Sequence, residues 1–155
     1  MKKWWIAPAL VSVLLLGGCA NEDEYWQETK RTVETITLGT ATFHQELAQS
    51  DSYVTTLALI SLEAGELNRN IAKLKNMEVP NKMESFHRRL ISSYESLSLY
   101  YEDVLLLSPT TKEEATPEQL KILKTKLKDY PNVLKIHFEE LEALEFERER
   151  LQKGE

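Results

Sequence analysis

Glu84-Ser85-Phe86-His87 is the stretch best suited to chemistry in this chain of 155 residues. On a helix, a Glu and a His three apart project from one face, and ferritin-like bundles hold two metal ions with such pairs. That site requires a second Glu-x-x-His and two further glutamates. Neither remaining histidine supplies the pair: Ala41 stands three before His44, Leu134 stands three before His137, and His137-Phe138-Glu139-Glu140 has the order reversed. Glu84 also has a plain structural role as the third residue of a capping box opened by Asn81. His44, His87 and His137 each adjoin an aromatic residue (Phe43, Phe86 and Phe138), which predicts half-exposed side chains flanking a packed stripe. Tyr94, Tyr100 and Tyr101, set among serines, could stack on a ligand, but their spacing favours core and rim. The chain has no Gly-rich phosphate loop and no Gly-x-Ser-x-Gly elbow. The expectation is a protein without catalytic residues, metal or cofactor.

The single cysteine carries a different kind of chemistry. Lys2 and Lys3 precede an apolar run from Trp4 to Leu16 interrupted only by Ser12, the form of a secretory leader over residues 1–18. The run falls short of the roughly 18 to 20 residues that cross a bilayer, and Pro8 with Gly17-Gly18 weakens it as a permanent helix. Leu16-Gly17-Gly18-Cys19 resembles a bacterial lipobox, with Gly where Ala or Ser is commoner two places before the cysteine. The resemblance implies cleavage between Gly18 and Cys19 and a diacylglyceryl group on the Cys19 thiol. With one cysteine there is no intramolecular disulfide, and an acylated sulfur is neither nucleophile nor metal ligand. Once the leader takes Lys2 and Lys3 with it, 17 basic residues face 25 acidic ones, a formal charge of −8. Bulk attraction to nucleic acid or to an anionic membrane face is thereby disfavoured.

These features must be positioned by helices, because 5 Gly and 5 Pro are too few for the turns of an all-β protein. Apolar and small residues recur every three or four places along Trp26, Thr29, Val33, Ile36, Thr40, Phe43 and Leu47. A second stripe follows: Tyr53, Leu57, Ile60, Ala64, Leu67, Ile71 and Leu74. The phase slips between them at Ser50-Asp51-Ser52, which predicts a break, with one long bent helix as the alternative. The third stripe is Met83, Phe86, Leu90, Tyr94, Leu97, Tyr101 and Val104. Thr116-Pro117-Glu118-Gln119 predicts the start of the fourth, with threonine as cap and proline at the first helical position. That stripe continues through Leu120, Leu123, Leu127, Tyr130, Leu134, His137 or Phe138, Leu141 and Leu144. The resulting expectation is an all-α, antiparallel four-helix bundle over residues 25–155, its fourth helix kinked or broken at Pro131. Residues 19–24 are expected to form a polar tether, and Phe43, Ile60, Leu97 and Leu127 to be buried.

A lipobox, a short acidic tether and Asn76-Met77-Glu78-Val79-Pro80 leading into a His-bearing amphipathic helix together resemble the small helical lipoproteins of Bacillus-like bacteria. That resemblance implies an extracytoplasmic bundle on the cell membrane, attached through Cys19, with another envelope protein as its expected partner and no nucleic acid. Lys121, Lys124, Lys128 and Lys135 are spaced to line one side of the fourth helix. They form a basic row that could touch phosphate-rich envelope polymers or headgroups, or could simply keep the face solvated. The expected role is a binding or scaffolding module; the alternative is a bundle that holds a metal or a small ligand.

Overall fold

The computed structural model describes residues 21–50, 53–106 and 116–154. Four helices account for nearly all of them: α1 Glu22–Gln49, α2 Tyr53–Lys75, α3 Glu84–Leu106 and α4 Pro117–Lys153. A short 3₁₀ turn, Asn81–Met83, leads into α3. The leader, Gly18, Cys19 and the connection from 107 to 115 lie outside the described residues.

Side-chain pairs fix the directions. Thr40 of α1 bonds Glu63 of α2, while Ser50 just beyond α1 meets Thr56, so numbers rising on one helix meet numbers falling on the next. The same holds between α2 and α3, where Lys75 pairs with Glu95 and Asn68 bonds Ser98. It holds again between α3 and α4, from Arg89 with Glu147 to Asp103 with Lys126. Neighbours in sequence are therefore antiparallel neighbours in space, as short connections between amphipathic helices require. α1 and α3 run parallel across the interior, joined by ring contacts at Trp26 and Phe86 and at Phe43 and Tyr101.

The core is made by the four stripes. Ile36, Phe43, Ile60, Leu67, Leu74, Phe86, Leu90, Leu97, Val104, Leu123, Leu134 and Leu144 are all buried. Leu127 is only half-buried and packs against this core from its edge. Pro131 sits inside α4 without breaking it, and buried residues keep their phase on either side, at Leu123 and Tyr130 before it and Leu134 and Leu144 after it.

Two start positions differ from the sequence expectation. α1 begins at Glu22, so the supposed tether contributes its last three residues to the first helical turn. The Asn21 side chain caps that turn by accepting from the Asp23 amide at 3.1 Å. Glu22, Asp23 and Glu24 then place negative charge against the positive end of the helix dipole. At α3, Asn81 lies within the 3₁₀ turn, not in the extended backbone a capping box requires, and Pro80 precedes that turn without a side-chain cap. By contrast α1 ends at Gln49 and α2 begins at Tyr53, the break expected from the phase slip, and α4 starts at Pro117 as its signals imply.

Candidate functional site

The interior carries more polar groups than the stripes suggested, and two of them are histidines. His87 is 7% exposed and His137 is 6% exposed, whereas Phe138 points outward. The expectation of half-exposed flanking histidines therefore holds for His44 alone, which is exposed beside Tyr130. His87 Nε2 donates to the Leu74 carbonyl at 3.0 Å, and its Nδ1 accepts from the Tyr25 hydroxyl at 3.2 Å. Leu74 lies in the last turn of α2, where its carbonyl also accepts from the Met77 amide at 3.1 Å, so His87 ties α2, α3 and α1 together at one end. Burial pushes its pKa below the ordinary value, with the Leu74 carbonyl opposing the shift. Both ring nitrogens are committed. His137 Nδ1 meets the Ser93 hydroxyl at 3.0 Å, its ring lies against Tyr94, and burial lowers its pKa also.

Glu63 is the buried charge that sequence alone did not single out. It is 8% exposed and accepts from the Thr40 hydroxyl at 3.0 Å. Burial raises its pKa, Thr40 works against that, and Glu66 adds to it. Deeper in the same layer the Tyr101 and Tyr130 hydroxyls meet at 3.1 Å, and Tyr100 stacks on Tyr130 while donating to the Lys126 carbonyl at 2.8 Å. Burial raises the Tyr100 pKa to about 12 and pushes Tyr101 and Tyr130 up as well. The tyrosines of α3 are core and rim. Among the described residues, no three His, Cys, Asp or Glu side chains gather as a metal ion would require, and Glu84 does not join His87 in such a group.

Lys121, Lys124, Lys128 and Lys135 are all exposed along α4, on the side the spacing implied. Lys135 reaches Glu139 at 3.7 Å, an exposed pair of the kind that contributes little. Lys126, outside the row, is the one that pairs with Asp103 of α3.

A concave site lies between α1, α3 and α4, in a cavity of about 350 Å³. Trp26, Phe86, Leu90 and Leu144 form its buried apolar wall, with Val33 and Leu141 half-buried beside them. Lys30, Glu34, Glu145 and Arg148 line it as well, with Lys30 paired to Glu34 at 3.8 Å and Arg148 to Glu145. Two polar atoms on its lining residues are buried and unpartnered: the Thr29 hydroxyl and Arg148 Nε. Thr29 departs from its neighbours in this, since Thr35, Thr42 and Thr125 each bond the carbonyl one turn back. Tyr25, one turn before Thr29, bonds His87, and the Thr29 hydroxyl beside it works against the rise that burial gives the Tyr25 pKa without making a hydrogen bond of normal geometry.

Sequence reasoning placed Thr29 on the inner stripe and gave no sign that it lines one cavity with Arg148. The available signal was Thr29 itself, a short polar residue in a stripe position between Trp26 and Val33. Comparison of the chain with family models, with curated proteins and with solved structures yields no match.

Proposed function

We propose that this chain is an exported protein held by lipid at Cys19 on the outer face of the cytoplasmic membrane, where its helical bundle serves as a binding module. The observation that carries this reading is the order of residues at the N terminus. Lys2-Lys3, the apolar run to Leu16, the small pair Gly17-Gly18 and the chain's sole cysteine follow one another as they do in helical lipoproteins. None of the described helices is long and apolar enough to cross a membrane, so in this reading attachment rests on acyl chains. At about 0.8 kcal/mol for each buried methylene, two such chains give a stable anchor where one gives a reversible contact.

Only Ala20 separates Cys19 from the helix cap at Asn21. Acylation at Cys19 would therefore bring that end of α1 close against the bilayer. At about 1.5 Å per residue, Phe43 lies roughly 33 Å along α1 from Asn21. Tyr130 packs on Phe43, and Lys128, Lys124 and Lys121 follow farther along α4. With the bundle upright, that part of the basic row faces away from the membrane, which suits an anionic polymer or protein of the envelope better than the headgroups beneath. A second reading, small-ligand binding, is favoured by the cavity between α1, α3 and α4 with its unpartnered Thr29 and Arg148 atoms.

Replacing Cys19 tests the anchor. Cys19→Ser should abolish fatty-acid labelling and either release the protein or leave it with its leader attached. A Cys19→Ser chain that still takes up label and fractionates with the membrane would contradict the proposal.

A further inference from the structure

We infer that the cavity between α1, α3 and α4 is a binding site for a small aromatic or alicyclic molecule carrying a carboxylate. This deepens the binding-module reading without depending on the anchor. At about 350 Å³ the cavity falls at the small end of ligand pockets, which run from about 300 to 1,000 Å³, and has room for one or two fused rings. Its wall suits a flat apolar body: the Trp26 and Phe86 rings meet edge to face with centroids 5.2 Å apart, and Leu90 and Leu144 close the inner side. A purely apolar occupant would leave the polar atoms at this wall unexplained.

Thr29 is 3% exposed, and its hydroxyl makes no well-formed hydrogen bond among the described residues: the Tyr25 hydroxyl beside it is committed to His87, and the carbonyl one turn back, the usual acceptor for a helical threonine, is not used. Arg148 pairs with Glu145 through its terminal nitrogen, and its Nε–H is left without an acceptor. A buried donor left unmet is costly, so two on residues lining one cavity point to an acceptor that is to be supplied from outside. Arg Nε–H can only donate, and a threonine hydroxyl can donate, so the missing group is an acceptor. A carboxylate offers two acceptor oxygens and gains from the positive charge of Arg148 and of Lys30, which also lines the cavity. Glu34 and Glu145 also line the cavity, but each is engaged by Lys30 or Arg148, so neither is left as a free counterion for a cation.

The test is calorimetric titration of the full chain in detergent micelles with 2-naphthoate, and with 2-naphthylmethylammonium as the same ring bearing the opposite charge. Variants titrated in the same micelles cancel partition of the probe into detergent. We expect saturable binding of the carboxylate, at least tenfold weaker binding of the ammonium, and loss of binding in Val33→Phe, which fills the cavity from its half-buried edge. Thr29→Val, which keeps the shape and removes the hydroxyl, should weaken binding about fivefold. Helical content and melting measured on each variant separate a lost site from a lost fold. Cys19→Ser should bind as the parent does, so failure of the anchor and failure of the site are distinct results. No saturable binding by the parent, equal binding of the two probes, or unchanged binding in both Val33→Phe and Thr29→Val would each overturn the inference.

Discussion

At the residue scale the buried ionisable groups set opposing pH responses. Burial lowers the pKa values of His87 and His137 below 6.5, so the unfolded chain binds more protons than the native one as pH drops under that value. Their contribution is complete above 6.5 and is lost as pH falls through their lowered native values. Glu63 works in the other sense. Its native pKa is raised above 4.5, so the native state binds the extra proton, and stability is lost as pH rises through that raised value. Glu63→Gln, which retains an acceptor for Thr40, should therefore raise the melting temperature at pH 7, with an advantage that shrinks toward pH 4.5. The His87→Gln, His137→Gln double variant should lose less stability than the parent between pH 7 and pH 5, even if it starts lower. Parallel melting curves of parent and variants across that range would show that these groups do not titrate as their burial implies. Of the three, only His137 had a place in an inner stripe, as the alternative to Phe138. His87 and His137 adjoin aromatic residues that equally fit the stripe, and Glu63 precedes the stripe residue Ala64 by one place, where a helix face curves inward only if its neighbour packs closely.

At the scale of elements, the periodicity carried most of the information. The stripes of α1, α2 and α3 point inward as spaced, and the Ser50 break falls where the phase slips, because a 3.6-residue period is set by backbone geometry alone. Ends were harder. The start of α1 was misplaced because Glu22, Asp23 and Glu24 look like a solvated tether, yet the same charges stabilise a first helical turn once Asn21 caps it. Pro131 shows a further limit. It has no N–H for the carbonyl of Leu127, while the Tyr100 hydroxyl of α3 donates to the Lys126 carbonyl, whose helical donor four residues on, Tyr130, is unaffected by the proline. Since Pro131 is exposed, Pro131→Ala should stabilise the protein by up to about 3 kcal/mol. Tyr100→Phe should cost about 1 kcal/mol through loss of its bond to α4. Urea denaturation measures both changes, and an unchanged stability in Tyr100→Phe would mean that its bond to the Lys126 carbonyl contributes nothing.

For the whole molecule, stability has to come from packing, since one cysteine allows no internal cross-link. Leu97 is 1% exposed at the centre of α3, and Leu97→Ala should cost about 2–5 kcal/mol; Leu127→Ala, at the core's edge, should cost less. Equal losses at the two sites by urea denaturation would mean the core is centred elsewhere. The antiparallel order of the helices was legible from their short connections, but the cavity was not, because it depends on which residues of α1 and α4 face each other. The same register sets Asn21, two residues after Cys19 in the sequence, at one end of the bundle and Lys121, Lys124 and Lys128 toward the other. The most direct test of the anchored-module account is the intact mass of the protein extracted from membranes, together with its N-terminal peptide. A mature chain that begins at Cys19 and carries the added mass of a diacylglyceryl group is the predicted result. A chain that retains Met1, or that begins elsewhere with an unmodified Cys19, would contradict it.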